Sequence, residues 1–250
     1  MIGIISAMRE EMQTLLDNLQ GVSATTNGMR TYYTGKLFDT KVVLVFSRWG
    51  KVAAATTVTQ LLNDYTIDEI IFTGVAGALL KNLNIGDIVI GNALYQHDVD
   101  ASPLFQKFEI PLLHQTFFKT STKHRKKLYE ATQLFLKAYA NYIDNTKAQS
   151  FHIKQPKIMI GDIASGDQFI SDIAVVQQLN TALPSVCCVE MEGAAVAQVC
   201  YEYKIPFSII RIISDNANDN AHIDFQKFAK DVASHYALGI LQNYCYNARS

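Results

Sequence analysis

No CxxC pair occurs among the four cysteines of this 250-residue chain, Cys187, Cys188, Cys200 and Cys245. A zinc ribbon and a thioredoxin-like redox motif are therefore excluded, and the adjacent pair points to opposite faces of a strand. The thiols are expected to be buried and reduced, in a cytoplasmic protein. Neither sign of charge is in excess: 22 Lys and Arg face 23 Asp and Glu, for a net charge of −1. Nothing in that balance steers the chain toward nucleic acid or an anionic membrane. No apolar run approaches the roughly 20 residues that span a bilayer. The opening MIGIISAM lacks a basic flank and a cleavage site, so it reads as a strand rather than a signal peptide. The five prolines are scattered, and no linker, low-complexity tract or repeat divides the chain, so one domain over residues 1–250 is expected.

Familiar phosphate and hydrolase motifs are missing too. GVAGAL has the wrong spacing for dinucleotide binding, and SRWGKVA has neither the upstream glycine nor the following Ser or Thr of a P-loop. There is no HExxH and no GxSxG. HDVD at His97–Asp100 has residue types that suit a hard metal, but its spacing favours a polar loop or a subunit contact.

What is present alternates. MIGIIS is an apolar run, and REEMQTLLDNL has helical spacing through Met12, Leu15, Leu16 and Leu19. TYYTGKLFDTKVVLVFS reads as a hairpin turning near Asp39. GKVAAATTVTQLLNDY is helix-like, and DEIIFTGVAGAL is a buried strand entering a glycine-containing loop. DIVIGNALY, Lys157–Ile163, SVCCVEM and PFSIIRIISD read as further strands, with helices at 121–141 and Glu192–Tyr203. Phe225, Phe228, Val232, Tyr236, Ile240 and Tyr244 form the stripe of a last helix, for which Asp224 is a fitting N-cap. Strands that are apolar throughout and alternate with helices predict a sheet covered on both faces. Ligands of such sheets bind beyond the carboxyl ends of strands, which here points to Ser6–Glu11, Thr73–Ala78, Glu190–Glu192 and Ser214–Asp215.

Acids recur at those ends. In an extended strand Glu190 and Glu192 share a face, with Met191 on the other. Acids in a first helical turn also complement the helix dipole, which explains Glu11 or Glu192 without any ligand, and Asp215 also suits a turn. Several carboxyls at the strand ends of one sheet suggest acid–base chemistry on a bond that breaks toward an oxocarbenium ion.

These segments together resemble a known family. IGIISAMREEM, GKVAAA, TGVAGAL, GDIVI, SGDQFI, VEMEGAAVAQVC and RIISDNAN occur in the order found in the bacterial 5′-methylthioadenosine/S-adenosylhomocysteine nucleosidases, within the purine nucleoside phosphorylase–uridine phosphorylase superfamily. The resemblance implies a three-layer α/β/α sandwich around a mixed, twisted sheet, usually as a homodimer, with no cofactor and no metal. It implies hydrolysis of the N-glycosidic bond of 5′-thio-substituted adenosines. Carried onto matching positions, Glu11 is the base that activates water and Asp215 the acid at adenine N7. Glu192 holds the ribose hydroxyls with Met191 against the sugar. Phe169 stacks on the purine, the Ile170 backbone reads its edge, and Phe225 closes the purine side. Arg211 helps place the water, and Gly77 lies near ribose and base.

The chain departs from the family pattern at Val75, where a Ser or Thr hydroxyl usually helps hold the attacking water, and at Arg48 and Trp49, where a small or aliphatic pair is common. Family members use the 97–111 stretch, from the partner subunit, to cover the 5′-substituent, and Leu104, Phe105 and Phe108 are candidates for that wall. Two other readings stay open: a nucleoside phosphorylase on the same fold, and a non-catalytic nucleoside-binding protein. A phosphorylase needs cationic donors for phosphate, whereas Glu11 would repel it. A binding module has no evident need for Glu11.

Overall fold

The computed structural model describes residues 1–217 and 225–246. The expected N-cap, Asp224, lies outside them. In chain order the elements are β1 (Ile2–Ser6), α1 (Arg9–Asp17), β2 (Gln20–Asn27), β3 (Arg30–Leu37), β4 (Thr40–Phe46), α2 (Lys51–Asp64), β5 (Glu69–Ala78), β6 (Ile88–Gln96) and β7 (Phe118–Lys119). There follow α3 (Thr122–Lys137), α4 (Asn145–Ser150), β8 (Ile158–Ser165), α5 (Ile173–Ala182), β9 (Val186–Glu190), α6 (Gly193–Tyr203), β10 (Phe207–Asp215), α7 (Phe225–Phe228) and α8 (Ser234–Tyr246), the last two joined by a π-helical turn at Ala229–Ala233.

Among the described residues all ten strands belong to one mixed sheet. Parallel pairs join β1 to β4 and β5, β5 to β10, β6 to β8, and β8 to β9. Antiparallel pairs join β10 to β6 and β5 to β9. Because β5 bonds to both β9 and β10, the strands β10, β6, β8, β9 and β5 close into a ring. The strands β1, β4, β3 and β2 run outward from it.

Strand periodicity of two sorts the apolar side chains into two layers. Ile5, Val43, Val45, Ile70 and Phe72 join one apolar cluster with residues of α2 and α6. Ile4, Val42, Leu44 and Ile71 join the other with residues of α1, α3 and α8. This is the three-layer α/β/α arrangement. The small residues Ala54 on α2 and Ala194, Ala195 and Ala197 on α6 are buried where these two helices pack together.

Three local expectations need correction. TGVAGA is strand β5, not a loop. Its glycines serve close packing rather than a turn: a Cβ on Gly74 would lie 3.0 Å from Glu11 Oε1, and one on Gly77 would lie 2.9 Å from Asp215 Oδ1. Strand β9 ends at Glu190, so Glu190 and Glu192 do not continue along one strand face. Glu192 is instead the N-cap residue of α6. Finally, β2 was not expected. All eight of its residues are exposed, so no burial pattern marks it.

Candidate active site

The ends of β1, β5, β9 and β10 converge on a cleft whose empty space, part of it open solvent, is about 630 Å³. Ala7, Met8, Glu11, Gly74–Gly77, Glu190–Glu192, Ser214 and Asp215 line its floor and sides. Trp49, Gln168, Phe169, Ile170 and Phe225 line it as well. All four strand ends singled out from the sequence contribute to it. Glu11, Gly77, Phe169, Ile170, Met191, Glu192, Arg211, Asp215 and Phe225 are thus brought together in space.

Glu11 sits in the first turn of α1 and is buried. Its Oε2 accepts from the Ala7 and Met8 amides, each at 3.0 Å, and its Oε1 accepts from the Val75 amide at 3.1 Å. The Met8 contact also caps the helix, so the dipole-complementing role is real. Burial nonetheless pushes the Glu11 carboxyl up to about 7, against the pull of Arg211 and the three amides.

Arg211 is fully enclosed within β10. Its Nη2 donates to Glu190 Oε2 at 2.5 Å, its Nη1 donates to the Ile210 carbonyl, and the guanidinium lies 4.1 Å from the Phe72 ring centre. Burial opposes its charge, but Glu190, Glu192 and Glu11 outweigh that and hold its pKa above the ordinary value. Glu190 is the cation's counterion. It also accepts from the Ser165 hydroxyl, from the Glu192 amide at 3.1 Å and from the Gly193 amide at 2.8 Å. Buried at the N-terminus of α6, Glu190 is saturated with donors.

Glu192 is aimed elsewhere. Its Oε1 accepts from the Gly50 amide at 2.8 Å, and burial, then the neighbouring Glu190, pushes its carboxyl up to about 8. Asp215 accepts from the Ser214 hydroxyl and the Ala217 amide, both at 2.7 Å; burial outweighs these and raises its pKa. At the mouth Phe225 meets both Trp49 and Phe169 edge-to-face, each with centroids 6.1 Å apart. Phe169 and Trp49 keep 42% and 52% of their surface exposed, so they present aromatic faces that core packing does not use.

Sequence reasoning missed the Gly50 amide, 142 residues from the carboxylate it serves, and the Glu190–Arg211 pair. Among the described residues no group of three or more His, Cys, Asp or Glu side chains is placed to hold a metal. In HDVD, Asp98 is bound to Lys51 and to the Asp167 amide, which is the polar-loop arrangement. All four cysteines are buried, and none is in a disulfide.

A cleft with buried carboxyls and an aromatic mouth, at the strand ends of a mixed three-layer sheet, defines a nucleoside-cleaving enzyme. The Phosphorylase superfamily model matches residues 1–242. The 5′-methylthioadenosine/S-adenosylhomocysteine nucleosidase of Staphylococcus aureus is 36% identical over 93% of this chain and 94% of its own. The Neisseria meningitidis enzyme of that name, solved with methylthio-immucillin-A, superposes with a TM-score of 0.86 at 30% identity, covering 98% of each chain. The Helicobacter pylori futalosine hydrolase superposes at 0.82 and 30% identity, over 98% of this chain and 97% of its own. The chain belongs to the 5′-methylthioadenosine/S-adenosylhomocysteine nucleosidase family of the phosphorylase superfamily, and it is an N-glycosyl hydrolase of adenosine-type nucleosides.

Proposed function

We propose that this chain hydrolyses 5′-methylthioadenosine, S-adenosylhomocysteine or both, releasing adenine and a 5-thioribose, as a single domain without cofactor. 5′-Deoxyadenosine and 6-amino-6-deoxyfutalosine belong to the same chemical class, and the likeness to a futalosine hydrolase supports including the latter. The observation that carries the reading is the pair of carboxyls with raised pKa, Glu11 and Asp215, in one cleft.

Adenine leaves poorly until N7 is protonated. Asp215 gives that proton as the bond between N9 and the anomeric carbon breaks and its electron pair moves into the purine. Water bonds to the anomeric carbon and loses its proton to Glu11. A base with a pKa near 7 is matched to that task at neutral pH. Arg211, fixed beside Glu11, orients the water. Val75 brings no hydroxyl to it, but its amide holds Glu11. Glu192 faces the two ribose hydroxyls, with Met191 against the sugar. Its two oxygens match the two vicinal hydroxyls as acceptors. Phe169 stacks on the purine, the Ile170 backbone meets its edge, Phe225 closes that side, and Gly77 keeps room beside Asp215.

Phosphorolysis is disfavoured by the same geometry. Arg211 is the only cation among the described residues that line the cleft, and Glu190 holds it; three amides suited to an anion are taken by Glu11. We place the enzyme in the cytoplasm as a homodimer in which the 97–111 segment covers the partner's 5′ pocket. The exposed Leu104 supports a covered face there. The test compares adenine release from the four nucleosides with and without phosphate. Free adenine and a free sugar at a phosphate-independent rate are expected. A phosphate requirement would establish the phosphorylase, and tight binding without turnover the binding module.

A further inference from the structure

The HDVD stretch takes no part in the reaction assigned to the cleft, yet Asp98 is tied to two of its walls. Asp98 Oδ1 accepts from Lys51 Nζ at 2.6 Å, and Asp98 Oδ2 accepts from the Asp167 amide at 2.8 Å. Asp167 Oδ1 in turn accepts from the Lys51 amide at 2.7 Å. Three residues from three distant segments therefore close a ring. Lys51 Nζ also donates to Gln96 Oε1 at 3.0 Å. The side chains are only partly shielded from solvent, Lys51 being 16% and Asp98 30% exposed. Burial opposes the Asp98 charge, but the hydrogen bonds from Lys51 and Asp167 outweigh it and hold its carboxyl below the ordinary value.

The neighbours of this ring are the cleft. One residue before Lys51 is Gly50, whose amide serves Glu192. Gly50 has φ +92°, and a Cβ there would lie 3.0 Å from Asp167 Oδ1, so the Asp167 carboxylate packs directly against the Gly50 backbone. Directly after Asp167 come Gln168, Phe169 and Ile170, all in the cleft lining. We infer that Asp98, with Lys51 and Asp167, is a positioning clamp that fixes the spacing between the ribose wall and the purine wall of the nucleoside site. Glu11 and Asp215 are held by other groups, the amides of Ala7, Met8 and Val75 for one and Ser214 and Ala217 for the other. The clamp therefore governs how the nucleoside is held rather than the proton transfers.

The inference rests on the cleft being the nucleoside site. Full-length Asp98→Ala, Lys51→Met, the double variant and Lys51→Arg are compared with wild type in steady-state adenine release from methylthioadenosine. Asp98→Ala and Lys51→Met each raise KM by about tenfold or more, the scale of a lost charged hydrogen bond, while kcat stays within about threefold. The double variant matches the worse single one, because a ring is broken only once. Lys51→Arg restores most of the affinity. Unchanged KM, a fall in kcat alone, or additive effects would overturn the clamp. If Asp98→Ala does not fold, the Lys51 pair decides. Calorimetric binding of a non-hydrolysable methylthioadenosine analogue, which spans both walls, gives an independent reading: a wild type that binds it but frees no adenine from methylthioadenosine sinks the assigned reaction, whereas equal analogue affinity in Lys51→Met sinks only the clamp.

Discussion

Replacing Glu11 by glutamine separates what this carboxyl contributes to chemistry from what it costs the fold. Glu11 is buried, and its pKa is pushed from 4.5 to about 7. Below about pH 4.5 the group is protonated in both folded and unfolded chains and contributes no pH dependence. Between about 4.5 and 7 the folded chain holds the extra proton, so stability falls as pH rises through that window. Above about 7 the cost is complete, at about 3 kcal/mol from the pKa rise at ~1.4 kcal/mol per tenfold. Glutamine has no charge to bury, but its NH2 opposes one of the amides that Glu11 accepts from. That mismatch costs about 1–3 kcal/mol at every pH. It cancels when the variant's stability relative to wild type is compared at two pH values. Denaturant unfolding at pH 4.5 and pH 8.5 should therefore show the relative stability of Glu11→Gln improving by about 3 kcal/mol at the higher pH. Above about pH 7, where wild-type Glu11 is ionised, adenine release by the variant should be slower by about a hundredfold or more, and the deficit should shrink at pH 4.5, where wild-type Glu11 is protonated too. A stability difference that ignores pH would refute the burial argument, and near-normal turnover would refute the base role.

Three further outcomes are expected. Asp215→Asn should slow adenine release by about a hundredfold or more, because asparagine has no proton to give N7; a loss under tenfold would remove Asp215 from the acid role. Glu190→Ala leaves the Arg211 guanidinium buried without its counterion, so thermal or denaturant unfolding should show a loss of about 3–5 kcal/mol; a change below 1 kcal/mol would mean that water reaches Arg211. Trp49, the single tryptophan, lines the cleft half-exposed, so adenine or methylthioadenosine should shift its emission; a spectrum unmoved at saturating ligand would place the nucleoside away from the mouth.

Much of the site was legible because of contrast. Acids stand out at the ends of apolar strands, as Glu190 does after VCCV and Asp215 after FSIIRIIS. Burial of both faces is what makes such runs uniform, so the layers were legible too. Other features leave no contrast. Gly74 and Gly77 look like loop residues until the carboxylates that press on them are placed. The strand QGVSATTN buries nothing and so carries no alternation. Arg211 in an apolar strand announces a buried cation, but which acid pairs with it is a matter of register between distant segments. The same holds for the closing of β5 onto both β9 and β10.

That closure decides which part of the cleft can give way. Every strand beneath the cleft except β1 belongs to a circle in which each member is bonded on both flanks. Parting any of them means tearing two ladders at once, so the floor of the cleft resists opening from below. Trp49, Phe169 and Phe225 stand outside that circle of strands, so any widening of the cleft falls to them.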